Sequence, residues 1–286
     1  MFFLAIEILV VLFFIFFLII FKEREKRRLL FYSVVFAFLF ELFGVVFGGY
    51  IYNSNFLFSI LKVPLFIALS WGLIITSSYF LIKKITSDSL AIAILTSIYV
   101  LSLDLFFEMV SVYFNFWNWG FVTNINYLNI DPSNFIGWIL VTFCFVYFYE
   151  RKQNWSVPLG FISYLAIGYV LKLISDFFKL SLINIYLPVI IIFIFFVVLG
   201  IVLYRKNVTK VKRNLSKENK DLKLNSNLNL KQKYEKYFLY LFRLPYILVG
   251  VFGFYIYKLY NYNLAIILLS LAIVIEIIFY FLLKKR

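Results

Sequence analysis

Long apolar runs, separated by short polar segments, dominate the chain. A transmembrane helix needs about 20 consecutive, mostly apolar residues, and nine segments approach or exceed that length. They predict an all-α fold, a polytopic bundle of about nine transmembrane helices. The predicted spans are residues 2–21, 29–50, 57–82, 89–113, 134–149, 155–177, 183–204, 237–257 and 262–283.

Lysine and arginine cluster in every second loop. They follow the first, third, fifth and seventh predicted spans, and the chain ends in Lys284, Lys285 and Arg286, whereas the other loops are nearly neutral. Cytoplasmic loops are enriched in Lys and Arg, so we expect a multi-pass cell-membrane protein with its N-terminus outside and its C-terminus in the cytoplasm. The first span lacks a basic leader and a small-residue cleavage site, which favours a retained span over a signal peptide.

One long polar stretch divides the spans unequally. Residues 205–236 are rich in Lys, Asn, Ser and Leu and contain no long apolar run. We interpret residues 1–204 as a seven-span membrane core that carries the candidate site, and residues 237–286 as a C-terminal two-helix membrane hairpin. The basic cytoplasmic linker between them is interpreted as a solvated loop, with an amphipathic helix on anionic lipid as the alternative.

Composition narrows the function classes. Hydrophobic residues make up 64% of the chain and charged residues only 15%, whereas soluble domains are about 45–50% apolar. The net charge of +14 lies in the loops, as in membrane proteins, so no nucleic-acid partner is predicted. Cys144 is the single cysteine, and the chain has no His, which excludes an intrachain disulfide and removes the commonest general base. Motifs for metals and phosphates are also absent, and we predict no metal and no cofactor.

Acidic residues inside the predicted spans are the candidates for chemistry. An Asp at the centre of a membrane helix costs about 2.5–3.5 kcal/mol on insertion scales, so such residues are functional candidates by default. The six are Glu7, Glu41, Asp104, Glu108, Asp176 and Glu276.

Asp104 and Glu108 form the strongest candidate pair. They are four residues apart and therefore share one helix face. Two close carboxyl groups in a low dielectric cannot both ionise easily, so the pair is expected to hold a proton and to serve as a general acid. Glu41 lies at a similar depth, in the outer half of the bilayer, which permits a shared pocket. The alternative is a structural role, with hydrogen bonds to neighbouring helices.

Aromatic residues accompany these carboxyls along the chain. Tyr50 and Tyr52 follow Glu41 closely, and Trp71 is expected in mid-membrane, after a Pro64 that is expected to kink its span. All three are candidates for a pocket wall. Trp117 and Trp119 are further candidates, although Trp is also enriched at membrane interfaces for structural reasons.

Four stretches share a pattern with a known family, and they are "ELFGVVFGGYIY" (41–52), "VPLFIALSWGLIITSSY" (63–79), "DLFFEMVSVYFNFWNWG" (104–120) and "YLNIDPSNFIGWIL" (127–140). In order and spacing they resemble the carotenoid biosynthesis membrane family, which includes the bacterioruberin-type carotenoid 1,2-hydratases. The family usually has Asp-Pro where this chain has Glu108 and Met109.

The resemblance implies hydration of a terminal isoprenoid double bond. A carboxylic acid protonates the alkene and the tertiary cation takes up water, without a cofactor. On this interpretation Asp104, Glu108 and Glu41 are catalytic. Asn134 and Trp138 join the aromatic candidates as substrate-binding residues, and a hydrophobic polyene reaches them from the membrane lipid.

Two other functions stay open. A carotenoid cyclase or isomerase would use the same acid and cation but would lose a proton instead of adding water. A non-enzymatic transporter or lipid-binding protein would use the carboxyls to relay protons or bind a cation. The mass of the product separates hydration from cyclisation.

Overall fold

The computed structural model describes residues 2–47, 49–119, 130, 133–177 and 226–284. Within these residues two short antiparallel sheets form, one from β1 (Tyr50–Tyr52) and β4 (Trp117–Trp119), the other from β2 (Ser59–Ile60) and β3 (Val63–Pro64). The α-helices of the same residues are α1 (Phe2–Ile20), α2 (Arg24–Val46), α3 (Leu65–Lys83), α4 (Ser89–Tyr113), α5 (Ser133–Lys152), α6 (Ser156–Phe177), α7 (Ser226–Leu241), α8 (Leu244–Ile256) and α9 (Asn263–Lys284).

The helices agree with an all-α, polytopic membrane protein, but the count of nine spans is not confirmed. The described residues contain six helical stretches that are long and apolar enough to cross a membrane, or seven if the bent pair α7–α8 is added. One of the six, Asn134–Leu171, holds both α5 and α6. These two helices fold back on each other, and Gly160 of α6 packs against the backbone of Phe145 of α5. The predicted span 183–204 lies outside the described residues.

Helices α3 and α4 form the centre of the bundle. Nearly all of their residues are buried, whereas α1 and α9 keep most of theirs at the surface. Burial on all sides agrees with the mostly apolar sequences of α3 and α4, whose polar residues are mainly Ser and Thr apart from the two carboxyls of α4. The central position also means that a side chain on α4 can reach a cavity enclosed by several other helices.

The third predicted span begins later than the sequence pattern indicated. Residues 59–64 form the β2–β3 hairpin, and helix α3 starts only at Leu65. Leu61 and Lys62 occupy the tight turn with positive φ angles of 49° and 68°, as a two-residue hairpin turn requires. Pro64 does not kink a helix; it directly precedes α3, where its fixed φ and missing N–H are tolerated.

The predicted span 237–257 is broken. Helix α7 ends at Leu241, α8 begins at Leu244, and the two are bent by 41°. Residues 226–236, which belong to the predicted linker, form the first part of α7. The rest of the linker lies outside the described residues.

The basic loops meet at one end of the bundle, which we call the basic end. Lys83 pairs with Glu25 at 2.7 Å, across the first and third loops. Lys26 and Lys84 both pair with Glu235 of α7, each at 3.3 Å. The sheet formed by β1 and β4 lies at the opposite end, which we call the site end.

Reporter fusions test the orientation of these two ends. We expect fusions after Arg151 and after Arg286 to report cytoplasm, because both follow basic segments. A fusion after Ser54 should report the outside. A cytoplasmic result at Ser54 would contradict the predicted orientation.

Candidate functional site

A cavity of about 390 Å³ lies among α1–α6 and α8, next to the β1–β4 sheet. This volume is within the range of roughly 300–1,000 Å³ for small-molecule pockets. All ten residues that the sequence analysis assigned to catalysis or substrate binding line it, so the structure brings them together. They are Glu41, Tyr50, Tyr52, Trp71, Asp104, Glu108, Trp117, Trp119, Asn134 and Trp138.

The β1–β4 sheet carries four aromatic rings on one face. Its register pairs Tyr50 with Trp119 and Tyr52 with Trp117, and alternate residues of a strand point to the same face. The ring centroids within these pairs are 5.3 and 5.9 Å apart, in edge-to-face geometry. Ile51, between the two tyrosines, is exposed. The alternation of "YIY" and "WNW" therefore builds the aromatic wall of the cavity.

Glu41 is buried on α2 and accepts three hydrogen bonds. The Tyr52 hydroxyl donates to its Oε2 at 2.6 Å and the Tyr50 hydroxyl donates to the same oxygen, while Trp71 Nε1 donates to Oε1 at 2.7 Å. Burial, together with the neighbouring Glu41 carboxyl, raises the pKa values of the Tyr50 and Tyr52 phenols well above their ordinary value. Both phenols therefore stay protonated and remain donors.

Glu108 is buried on α4 and accepts two indole hydrogen bonds on one oxygen. Trp117 Nε1 donates to Oε1 at 2.8 Å and Trp119 Nε1 at 2.9 Å. Hydrogen bonds to a carboxylate favour its charged form. The two tryptophans therefore act on the carboxyl rather than only marking the membrane interface.

Asp104 lies one turn before Glu108 and is fully buried. Its Oδ2 accepts a hydrogen bond from Asn134 Nδ2 at 3.0 Å. Its Oδ1 is buried and has no hydrogen-bond partner among the residues that the structure describes. The carboxyls of Glu108 and Glu41 are both close enough to interact electrostatically with it. Among the described residues, Asp104 is thus the carboxyl of the three that accepts the fewest hydrogen bonds from amide, indole or phenol donors, and it lies directly beside the Glu108 carboxyl.

A stacked tryptophan pair forms another wall. The rings of Trp71 and Trp138 are 3.9 Å apart at an interplanar angle of 24°. Trp138 stands four residues after Asn134 on α5, so both project from the same helix face. One face of α5 therefore supplies both the partner of Asp104 and an aromatic surface.

The remaining acidic candidates do not line this cavity. Glu7 accepts hydrogen bonds from the backbone N–H groups of Leu57 and Phe58, and thereby ties α1 to the segment before β2. Glu276 forms an ion pair with Arg243. The side chain of Asp176 lies outside the described part of the chain.

The apolar part of the cavity was missed by the sequence reasoning. Helix α1 contributes Leu9 and Phe13 to the lining, and α8 contributes Tyr246 and Val249. Their positions follow from long-range packing, and their apolar character does not distinguish them from lipid-facing residues.

The chemistry of the lining favours a cationic species. In the part of the chain that the structure describes, three carboxyls and many aromatic rings line the cavity, but no Lys or Arg does. Aromatic faces attract cations. An anionic substrate such as a diphosphate would find no basic partner there. Among the described residues, no group of three or more His, Cys, Asp or Glu side chains could hold a metal ion.

A comparison with known families finds one match. A family model described as "carotenoid biosynthesis protein" matches residues 2–203. No curated protein and no solved structure matches the chain. The matched range contains all ten site residues, whereas α7, α8 and α9 lie beyond it.

Proposed function

The chain belongs to the carotenoid biosynthesis protein family, and from that premise we propose that it hydrates a terminal isoprenoid double bond of a carotenoid. The observation that carries this proposal is the Asp104 carboxyl, which is buried in an aromatic cavity and whose Oδ1 accepts no N–H or O–H hydrogen bond from the described residues. A carboxyl in such a place can hold a proton and deliver it to an alkene.

The hydrogen bonds around Asp104 and Glu108 support different roles for the two carboxyls. From the described residues, Glu108 accepts two N–H donors, whereas Asp104 accepts one. Donors stabilise the carboxylate form, so the shared proton belongs on Asp104 and the negative charge on Glu108. Asp104 is the general acid in this proposal.

The first step transfers that proton to the substrate. The proton of Asp104 Oδ1 adds to the less substituted carbon of the terminal double bond, whose π electrons form the new C–H bond. The other carbon becomes a tertiary cation, and Asp104 becomes a carboxylate. Trp71 and Trp138 lie in the lining with their rings stacked, and aromatic faces stabilise a cation by roughly 0.5–2 kcal/mol each.

The second step adds water. The water oxygen forms a bond to the cation, and the Glu108 carboxylate takes the proton that this water loses. Transfer of a proton from Glu108 to Asp104 restores the starting state, because the two carboxyls interact directly. The net change is one H and one OH added across the double bond. Glu41 completes the polar pocket with the phenols and the indole that it binds.

Product mass tests this proposal. The protein would be expressed in a host that accumulates an acyclic carotenoid, and the pigments would be analysed by mass spectrometry. We expect products heavier than the parent pigment by one water. A new pigment of unchanged mass would instead indicate cyclisation or isomerisation. Unaltered pigments with well-inserted protein would contradict an enzymatic role towards that carotenoid.

A further inference from the structure

Helices α1 and α8 form an apolar part of the cavity that extends to the lipid-facing surface. Leu9 lines the cavity and is nevertheless 43% exposed. Val249, on α8, is a half-buried lining residue. A side chain that both lines a cavity and is exposed forms a thin part of the cavity wall. The boundary between α1 and α8 is therefore a thin apolar wall of the cavity, and Phe47, which directly follows α2 and is 66% exposed, forms a second one.

An aromatic cluster closes this boundary towards the basic end. The ring of Phe242, in the break between α7 and α8, lies 4.9 Å from that of Phe17 and 6.2 Å from that of Phe13. At 1.5 Å per residue, Leu9 is about 6 Å from Phe13 towards the site end, and Val249 is about 8 Å beyond the start of α8 at Leu244. Leu9 and Val249 thus lie on the site-end side of this aromatic cluster.

Buried contacts hold α8 in place. Arg243 is fully buried and donates to Ser78 Oγ at 2.6 Å and to the Tyr99 carbonyl at 2.7 Å. Gly253 packs so closely on Val110 of α4 that a Cβ would clash with its side chain. The wall that α8 provides is therefore fixed relative to α4, which carries Asp104.

The size of the cavity limits what it can enclose. A polyene whose length approaches the roughly 30 Å thickness of the hydrocarbon core is too long for a cavity of about 390 Å³. Only its end group and the adjacent chain fit inside. The rest of the polyene must leave through an apolar part of the cavity wall, because the three carboxyls and their hydrogen-bond partners form the polar part.

From these observations we infer that α1 and α8 bind the hydrocarbon chain of an isoprenoid polyene, which passes into the lipid between Leu9 and Val249 while its end group lies at the carboxyls. The identity of the occupant as a polyene rests on the proposed function. The inference assigns a substrate-binding role to α8, which lies outside the residues that match the family.

Tryptophan fluorescence gives a readout of binding that is independent of turnover. Four of the five tryptophans line the cavity, and the fifth, Trp155, is 64% exposed. The ligand is all-trans retinol, an isoprenoid polyene that absorbs light in the range of tryptophan emission. In a Trp155→Phe background, retinol that occupies the cavity should quench the emission of the four remaining tryptophans. The titration would be made with the full chain in detergent micelles.

Two pairs of matched variants test this inference. Val249→Phe and Leu9→Phe each place a larger side chain in the lining, and we expect each to weaken retinol binding by about tenfold, the effect of overpacking a fitted site. The controls are Val251→Phe and Leu12→Phe, because Val251 and Leu12 are exposed and do not line the cavity. Both controls should bind within about twofold of the parent, a difference well below the cost of overpacking.

The outcomes separate this inference from the proposed chemistry. Unchanged binding in both Val249→Phe and Leu9→Phe overturns it, as does equal weakening in the controls. Because the two variants lie on different helices, misfolding of one leaves the other informative.

If the lining variants alone lose binding while wild-type protein hydrates no carotenoid, the chain-binding inference holds and the proposed reaction fails. If hydration proceeds while retinol binding is insensitive to every variant, the reaction holds and the chain-binding inference fails.

Discussion

The Asp104→Asn variant should lose nearly all turnover while it still inserts into the membrane and binds substrate. Asn keeps the size of the side chain and can still contact Asn134, but it cannot donate a proton of useful acidity. General acid catalysis contributes typically about 10²–10⁴-fold, so we expect a loss of that size. The measurement is the rate of hydrated product formation per inserted protein, with retinol quenching as the check on binding.

A matched control for this substitution exists on the same helix. Asp88 is the N-cap of α4, where its side chain accepts a hydrogen bond from the backbone N–H of Ala91 at 2.8 Å. Asn is about as good an N-cap as Asp, so Asp88→Asn should leave turnover and insertion unchanged. A residual rate of Asp104→Asn within about threefold of wild type, far below the usual contribution of a general acid, would rule out the assigned role.

The other two carboxyls refine the assignment. Glu108→Gln removes the group that takes the proton from water, and we expect it to reduce turnover less than Asp104→Asn does. An active Asp104→Asn variant together with an inactive Glu41→Gln variant would exchange the two roles. If all three variants are active, the carboxyls are structural and the hydration mechanism fails.

Glu276→Leu should strongly destabilise the protein. Its partner Arg243 is fully buried, and the two form an ion pair. Removing one member of a buried pair leaves an uncompensated charge and costs about 3–5 kcal/mol. The cost should fall near the lower end, because Arg243 keeps its hydrogen bonds to Ser78 and the Tyr99 carbonyl. Denaturant unfolding in micelles, followed by tryptophan fluorescence, measures the change.

The double variant Arg243→Met with Glu276→Leu provides the control. Apolar residues of similar volume often replace a buried ion pair at little cost, so the double variant should regain most of the lost stability. Together with the Arg243→Met single variant, the Glu276→Leu and double variants complete a double-mutant cycle that isolates the coupling of the pair. A Glu276→Leu variant as stable as wild type would show that Arg243 is satisfied without its partner.

Hydropathy predicts a helix well when the sequence of that helix alone determines whether it forms and spans the membrane. The spans 2–21 and 89–113 agree closely with α1 and α4, because length and apolar character alone decide whether a segment can cross the bilayer. The common depth of Glu41 and Asp104 follows from the helical rise per residue. Glu41 and Asp104 line the same cavity, as their common depth in the membrane allows.

Features that depend on distant parts of the chain were not predicted. The register of β1 against β4 pairs residues more than sixty positions apart, and no local pattern specifies it. The break before α8 is stabilised by contacts of Arg243 with α3, α4 and α9, which hydropathy does not report. The three residues of β1, "YIY", are too few for a strand alternation to stand out beside a long apolar run.

Glu108 lies only five residues before the last residue of α4, Tyr113, or about 8 Å along the helix. The proposed reaction therefore creates an amphiphile at the depth where its new hydroxyl can reach the headgroups. A hydroxyl without a hydrogen-bond partner is costly in hydrocarbon, so the product is released already oriented, with its polar end anchored in one leaflet. In the proposed mechanism, the depth of Glu108 therefore determines in which leaflet the hydroxyl end of the pigment lies.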